Sequence, residues 1–188
     1  MLDSAALPVS SSSDLQLLRQ AAAGDETAFA EIYDLYAPSV YNYLLRLVNE
    51  PAVAEEILQE VFLAMWRGAH SFRAEAKVKT WLLRIAHHQA VTWLRRRRPL
   101  LWPATDDDTE ASDVESIEED LAHNWQVDQV RDAILRLSPK HRAVIELTFV
   151  HGLSYTEIAQ VMNCPAGTVK SRMSYALRHL TGLLNQAT

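Results

Sequence analysis

Arg95 to Arg98 are four consecutive arginines, and the residues before them suggest what they bind. At about 100° per residue, Arg84, His88 and Arg95 share one stripe of a helix expected from about Val78 to Arg98, with Trp81 and Thr92 at its edge. Arginines ending a helix complement its dipole, yet four exceed what a cap needs. Guanidinium groups beside exposed aromatic rings suit a phosphate backbone and unstacked bases. A second polar set lies in Pro165 to Leu180, where Thr168, Ser171, Ser174, Tyr175 and Arg178 face one way, flanked by Lys170 and Arg172. Val169, Met173, Ala176, Leu177 and Leu180 gather on the other side. A third set, Glu56, Gln59, Glu60 and Arg67, decorates the outer face of Pro51 to Arg67. A charged helix face usually serves solubility alone; Leu63 exposed among these charges points to a contact surface.

Catalytic chemistry finds little support. His87 and His88 are adjacent, so a helix aims them about 100° apart and they do not readily share a metal. No HExxH pair, nucleophile elbow or Gly-rich phosphate loop occurs. His123, His141, His151 and His179 are scattered, with surface or capping roles expected. The single cysteine, Cys164, excludes an intramolecular disulfide framework and a CxxC metal site. It is read as a small buried residue, in a reducing intracellular setting. No enzyme, cofactor or metal is expected.

The elements that must position these sets are helical throughout. Ser154 and Glu157 form an S-x-x-E capping box for a short helix to Met162. Asn163-Cys164-Pro165 is a tight turn, and Pro165 suits the first position of a longer helix. A short helix, a turn and a longer helix with a polar, partly basic face make a DNA-reading helix-turn-helix; an ordinary helical hairpin is the alternative. Upstream, Phe29, Ile32, Tyr33, Tyr36, Val40, Leu44 and Leu47 recur at helical spacing. Gly24-Asp25 interrupts that pattern, Pro38 implies a kink or brief break, and Asn49-Glu50-Pro51 stops and restarts it. Ile57, Leu58, Val61, Phe62 and Met65 form the buried side of the next helix; Leu82, Ile85, Ala86 and Trp93 form that of the one after. Past residue 124, Val127, Val130, Ile134 and Leu137 resume a helix, Ser138-Pro139 starts another to about Val150, and His151-Gly152 ends it.

A length of 188 residues, 48% apolar content and only 5 glycines fit one or two small helical domains. The net charge of −6 is unevenly spread. Residues 1–103 balance to zero, residues 104–124 carry nine acids and no Lys or Arg, and residues 125–188 carry a net +3. The acidity therefore belongs to one segment that is poor in bulky apolar residues, and a flexible linker is expected there. Residues 1–13 read as a disordered lead-in, neither signal peptide nor membrane span. The expected architecture is all-α, with a helical domain at 14–99, an acidic linker at 100–123 and a helix-turn-helix domain at 124–188.

The blocks AFAEIYDLYAPSVYNYLLRLV, AEEILQEVFLAMWR, TWLLRIAHHQAVTWLRRRR, LSPKHRAVIELTFVHGLSYTEIAQVM and CPAGTVKSRMSYALRHL, in this order, resemble the extracytoplasmic-function (ECF) sigma factors of the sigma-70 family. These are bacterial transcription initiation factors reduced to sigma regions 2 and 4. The resemblance covers about residues 14–98 and 124–184. It implies that Glu56, Gln59, Glu60 and Leu63 dock on the β′ clamp helices of core RNA polymerase. It implies that the segment from Phe72 to Arg96, with Lys79, Trp81, Arg84, His88, Arg95 and Arg96, reads and opens the −10 element. Thr168, Lys170, Ser171, Arg172, Ser174, Tyr175 and Arg178 would read the −35 element. The acidic linker would thread past the RNA exit path and the active-site cleft, its charge mimicking nucleic acid. Partners so implied are core polymerase through its β′ and β subunits, promoter DNA and an anti-sigma factor, with no membrane insertion. The setting would be the cytoplasm and nucleoid, with tethering at the membrane through the anti-sigma factor. His88, Thr92, Val78 and Tyr175 stand where the family more often has Asn, Asp, an aromatic residue and Arg. A dimeric helix-turn-helix regulator is the competing class, but residues 14–98 lack the alternating strand pattern of a receiver domain.

Overall fold

The computed structural model describes residues 12–74, 76–97 and 127–185. The lead-in through residue 11, the acidic linker and Arg98 lie outside the described residues. Helix α1 spans Ser12–Ala22, α2 Glu26–Val48, α3 Pro51–Gly68 and α4 Val78–Arg97. Helices α5 (Val127–Arg136), α6 (Pro139–Ile145), α7 (Tyr155–Met162) and α8 (Ala166–Asn185) follow. Every described element is helical.

Local chemistry sets the boundaries. Gly24, at φ +94°, turns the chain after α1, a conformation that costs a residue without Cβ little. Asp25 then caps α2, its Oδ1 accepting from the Thr27 amide at 2.9 Å and the Ala28 amide at 3.2 Å. Helix α2 runs unbroken through Pro38, so no break follows from that residue. Asn49 ends α2 in the left-handed region at φ 57°, and Pro51 opens α3 at its first turn. Helix α6 widens into a π-helical turn over Glu146–Val150 before Gly152, at φ +66°, releases the chain.

Helices α1 to α4 form a bundle around Leu18, Ile32, Tyr43, Leu44, Leu47, Val61, Met65, Val78, Leu82 and Leu83, all nearly inaccessible. Two hydrogen bonds satisfy buried hydroxyls in this bundle. Tyr36 donates to Asp14 Oδ2 at 2.8 Å, and the Tyr43 hydroxyl meets His87 Nδ1 at 2.7 Å. The Tyr36 hydroxyl is held well above its ordinary pKa, by burial first and then by the Asp14 hydrogen bond and charge. Helices α5, α6 and α7 pack on α8 around Val144, Leu147, Ile158, Val169 and Ala176. The two units also touch, α4 lying against α7 and α2 against α6, and their buried side chains merge into one apolar cluster.

Candidate nucleic-acid and polymerase interface

Helix α3 turns Ile57, Leu58, Val61, Phe62 and Met65 into the core, so its 3.6-residue repeat sends Glu56, Gln59 and Glu60 to solvent. Leu63 stands with them, 41% exposed. This surface is a continuous polar strip with one apolar residue, as its sequence pattern anticipates.

Helix α4 is more deeply embedded than its sequence suggests. Val78, Thr80, Leu82, Leu83, Ala86, His87, Ala90, Val91 and Leu94 are buried, whereas Ile85 and Trp93, expected inside, are only half-buried. The cause is that α4 packs on α2 and α3 and, on another side, on α7. Arg84, His88, Arg95 and Arg96 remain exposed, with Trp81 half-buried against Phe72 at 4.8 Å between ring centroids. Lys79 is half-buried and donates from Nζ to the carbonyl of His151 at 2.8 Å. Its pKa is lowered, first by burial and then by Lys77 nearby. His87 is buried and its pKa is pushed down to about 3, chiefly by desolvation and next by the Arg172 charge.

The helix-turn-helix forms as its caps require. Ser154 Oγ accepts from the Glu157 amide at 3.3 Å, while Glu157 Oε2 accepts from the Ser154 amide at 2.9 Å. These bonds and Lys77 lower the Glu157 pKa against an opposing desolvation, the largest single contribution. Asn163 turns at φ 51°. Helix α8 begins at Ala166, with the Pro165 carbonyl accepting from Val169, so the proline, expected at the first helical position, stands one residue before it. Val169, Met173, Ala176, Leu177 and Leu180 are buried as expected.

Not every polar residue of α8 faces solvent. Lys170, Tyr175 and Arg178 are exposed, and Thr168 and Ser171 are half-buried. Arg172 and Ser174, expected on the outer face, are 3% and 7% exposed. Ser174 Oγ donates to the Lys170 carbonyl at 3.1 Å, the ordinary refuge of a serine within a helix. Arg172 turns toward Cys164 Sγ, 3.8 Å away, and borders a cavity that α4 also lines. Tyr175 stacks between His141 and His179, at centroid distances of 4.4 and 5.9 Å. A cavity of about 490 Å³ between α4 and the helix-turn-helix is lined by Trp81, Arg84, His88, Arg95, Met162 and Arg172. It brings together candidate readers from both domains.

Residues 32–99 match the Sigma-70 region 2 family, and residues 128–180 match the Sigma-70, region 4 family. The chain is 36% identical over 182 residues to the ECF RNA polymerase sigma factor SigK of Mycobacterium tuberculosis (strain H37Rv), covering 93% of this chain and 95% of SigK. The chain belongs to the ECF sigma factors. It is thus a transcription initiation factor of the sigma-70 family, and not itself an enzyme. The ECF sigma factor SigW of Bacillus subtilis is 32% identical over 165 residues, covering 83% of this chain and 88% of SigW. Among solved structures, RpoE of Bartonella quintana in complex with the anti-sigma factor NepR superposes with a TM-score of 0.63 at 25% identity. That match covers 84% of this ECF sigma factor and 96% of RpoE. CnrH, bound to the cytosolic domain of CnrY, shares the fold at TM-score 0.69 and 22% identity, over 94% of this chain and 99% of that one.

Three polar residues between the domains were not anticipated as structural. Arg142 is 6% exposed and spends its guanidinium on the carbonyls of Ile134, Leu135, Leu137 and Arg46. Glu146 is 1% exposed and accepts from Arg46 at 3.1 Å; burial raises its pKa while Arg46 and Arg142 oppose the shift. His151 and His141, expected in surface or capping roles, are 6% and 9% exposed; both stand at helix ends, His151 closing the π-helical turn and His141 Nδ1 lying 2.7 Å from Oγ of the N-cap Ser138. A signal existed for the first two: Arg142 and Glu146 are four residues apart in HRAVIELTFV, an otherwise strongly apolar stretch. Charged groups so placed are buried only with partners. Among the described residues no cluster of His, Cys, Asp or Glu could hold a metal, and no helix is long and apolar enough to cross a membrane.

Proposed function

We propose that this ECF sigma factor divides its work among three helices. The strip Glu56, Gln59, Glu60 and Leu63 on α3 docks on the β′ clamp helices of core polymerase. Helix α4, through Trp81, Arg84, His88, Arg95 and Arg96 with Lys79, engages the −10 element and holds an unpaired base. Such capture resembles base flipping without catalysis, because a pocket and phosphate contacts keep a base that has left the stack. Helix α8 enters the −35 major groove with Lys170, Tyr175 and Arg178, flanked by half-buried Thr168 and Ser171, whereas Arg172 and Ser174 are buried and support that face from beneath. The observation that supports this division is that the three sets lie on three different helices and share no residue. Exposed Phe149 and Val150, 63% and 53% accessible at the end of α6, offer an apolar contact for the β subunit.

An anti-sigma factor fits the same surfaces. RpoE and CnrH are both found in complexes with other proteins, NepR being an anti-sigma factor, and a protein that covers the α3 strip and α8 would block polymerase and promoter together. Such a sigma factor works in the cytoplasm at the nucleoid, and an anti-sigma factor anchored in the membrane would hold it there.

Run-off transcription tests the proposal. Core polymerase with this protein should give transcripts of fixed start from genomic fragments, including the region upstream of its own gene, and none without it. Replacing Gln59 and Glu60 by Ala should weaken core binding while leaving isolated DNA binding intact. Replacing Lys170 should instead weaken −35 dependence, by about 1–3 kcal/mol for a base contact. Equal loss of core binding in both variants would contradict the division.

A further inference from the structure

Tyr175 is the only tyrosine, phenylalanine or tryptophan of α8. Thr168, Ser171, Tyr175 and Arg178 follow one another at three- and four-residue spacing, so they line a single edge of the helix. Thr168 and Ser171 are short and half-buried, whereas Tyr175 stands 41% exposed between Ser171 and Arg178. Its ring is held all the same. It stacks on the His141 imidazole from α6, with 4.4 Å between centroids and 24° between planes. It stacks also on the His179 imidazole one turn along α8, at 5.9 Å and 20°. Stacked rings at such separations attract one another.

His141 is itself locked. It is 9% exposed, in the first turn of α6, and its Nδ1 lies 2.7 Å from Ser138 Oγ. Ser138 is the N-cap residue of α6, yet its side chain makes no bond to the helix amides. A capping serine ordinarily gives its oxygen to one of those amides. Here the hydroxyl serves the imidazole instead. Ser138, His141 and Tyr175 thus form a series that runs from a helix cap, through a buried ring, to an exposed phenol on the outer edge of α8. Buried as it is, His141 offers DNA little surface of its own and acts through Tyr175.

We infer that His141, held by Ser138, is the positioning residue that fixes Tyr175 in the −35 groove, and that the stack makes Tyr175 selective for one base pair rather than a general contact. The inference rests on the assignment of α8 to the −35 element. A phenol brings an apolar rim that suits a thymine methyl and a hydroxyl that both donates and accepts toward a base edge. A swinging tyrosine would follow several bases and tell few apart. A ring fixed before docking loses less freedom on binding and meets one base pair in one geometry.

The test uses the full-length protein with core polymerase on the promoter mapped by run-off transcription, each −35 base pair being replaced in turn. Discrimination is the ratio of transcript yields, at limiting holoenzyme, between the original and the replaced pair. Tyr175→Ala should lose about tenfold in discrimination at one position and keep it at the others. His141→Ala should lose about threefold at that same position. His141→Phe keeps a flat ring against Tyr175 and should recover most of the loss. Ser138→Ala leaves Pro139 to open α6 and removes the bond to His141, so it should weaken discrimination at the same position with little change in thermal melting. It carries the test should His141→Ala fail to fold. A merely structural His141 predicts lower yield from every promoter alike at unchanged discrimination, and that result would overturn the inference. Tyr175→Ala with wild-type discrimination at every position would overturn it too. A wild type without any −35 dependence would overturn the assignment of α8, and the inference with it.

Discussion

The bundle of α1–α4 and the polar seam, where α2 and α4 meet the second unit through Arg46–Glu146, Arg142–Arg46 and Lys79–His151, bury different kinds of side chain. In the bundle, Ile32, Tyr43, Leu44, Val61 and Leu82 are sealed and Tyr36 is satisfied by Asp14, although the buried Thr80 hydroxyl has no partner. In the seam, Glu146, Arg142 and His151 are just as hidden, yet two of the three keep an unpaired atom. Apolar burial is stable without partners and rewards permanence. Polar burial is worth having only while every partner stays in place. The difference is that the bundle rests on apolar packing, whereas the contact between the units rests on charged and polar groups whose worth depends on each partner.

The largest effect should come from the sealed side. Leu44→Ala removes a fully buried side chain from α2, with an expected loss of about 2–5 kcal/mol from transfer and cavity terms together. Urea unfolding should show this as a shifted midpoint of the region 2 bundle. A loss well under 1 kcal/mol would mean that the bundle is looser than its burial implies.

Acid should act next, and on the seam. His151 faces Tyr43 and Arg46 from α2, Lys79 from α4 and Glu146 from its own helix segment. Desolvation, then the charges of Lys79 and Arg46, depress its pKa to about 4. Parting the units returns it toward the ordinary value of about 6.5. The neutral ring is the form the seam accepts, so contact between the units is fully favoured above about pH 6.5. It weakens as pH falls toward about 4, by about 1.4 kcal/mol per unit within that window. Small-angle scattering against pH should show expansion over this range, and His151→Gln should remove the dependence. His87 is depressed as well, but the Tyr43 hydroxyl holds it within the bundle, so its protonation strains the bundle itself. Expansion that persists unchanged in His151→Gln would transfer the effect to His87 or to the carboxylates.

How much of this was legible follows the range of the interactions. Asp25, Asn49, Ser154 and Asn163 mark helix ends through bonds to residues a few positions away, so the sequence displays both partners together. The outer strip of α3 was legible for the same reason, since one helix with one buried side has a simple repeat. Helix α4 was not, because burial against both the bundle and α7 blurs its repeat, hiding His87 and Thr80 while leaving Trp93 half out. The burial of His151 was not legible because Ser39, Tyr43 and Lys79, which enclose it, come from the other domain. Ser39 and His151 are separated by 112 positions, and no local pattern announces such a meeting.

The smallest effects fall on the helix-turn-helix, where one carboxylate serves both a cap and the seam. Glu157 completes the capping box with Ser154 and also pairs with Lys77. Ser154→Ala removes the accepting oxygen for the Glu157 amide, with an expected cost of about 1 kcal/mol to α7. Lys77→Ala removes a pair whose side chains are 51% and 24% exposed, and solvent screening limits such a pair to well under about 1 kcal/mol. The two substitutions should also differ in kind. The first should lower the melting temperature at any ionic strength, because a cap bond is local and short. The second should be visible only at low salt and only while the units touch, because it joins one domain to the other. A salt-independent loss for Lys77→Ala, equal to that for Ser154→Ala, would mean that α7 depends on α4 for its folding, and the two units would then open less freely than the seam suggests.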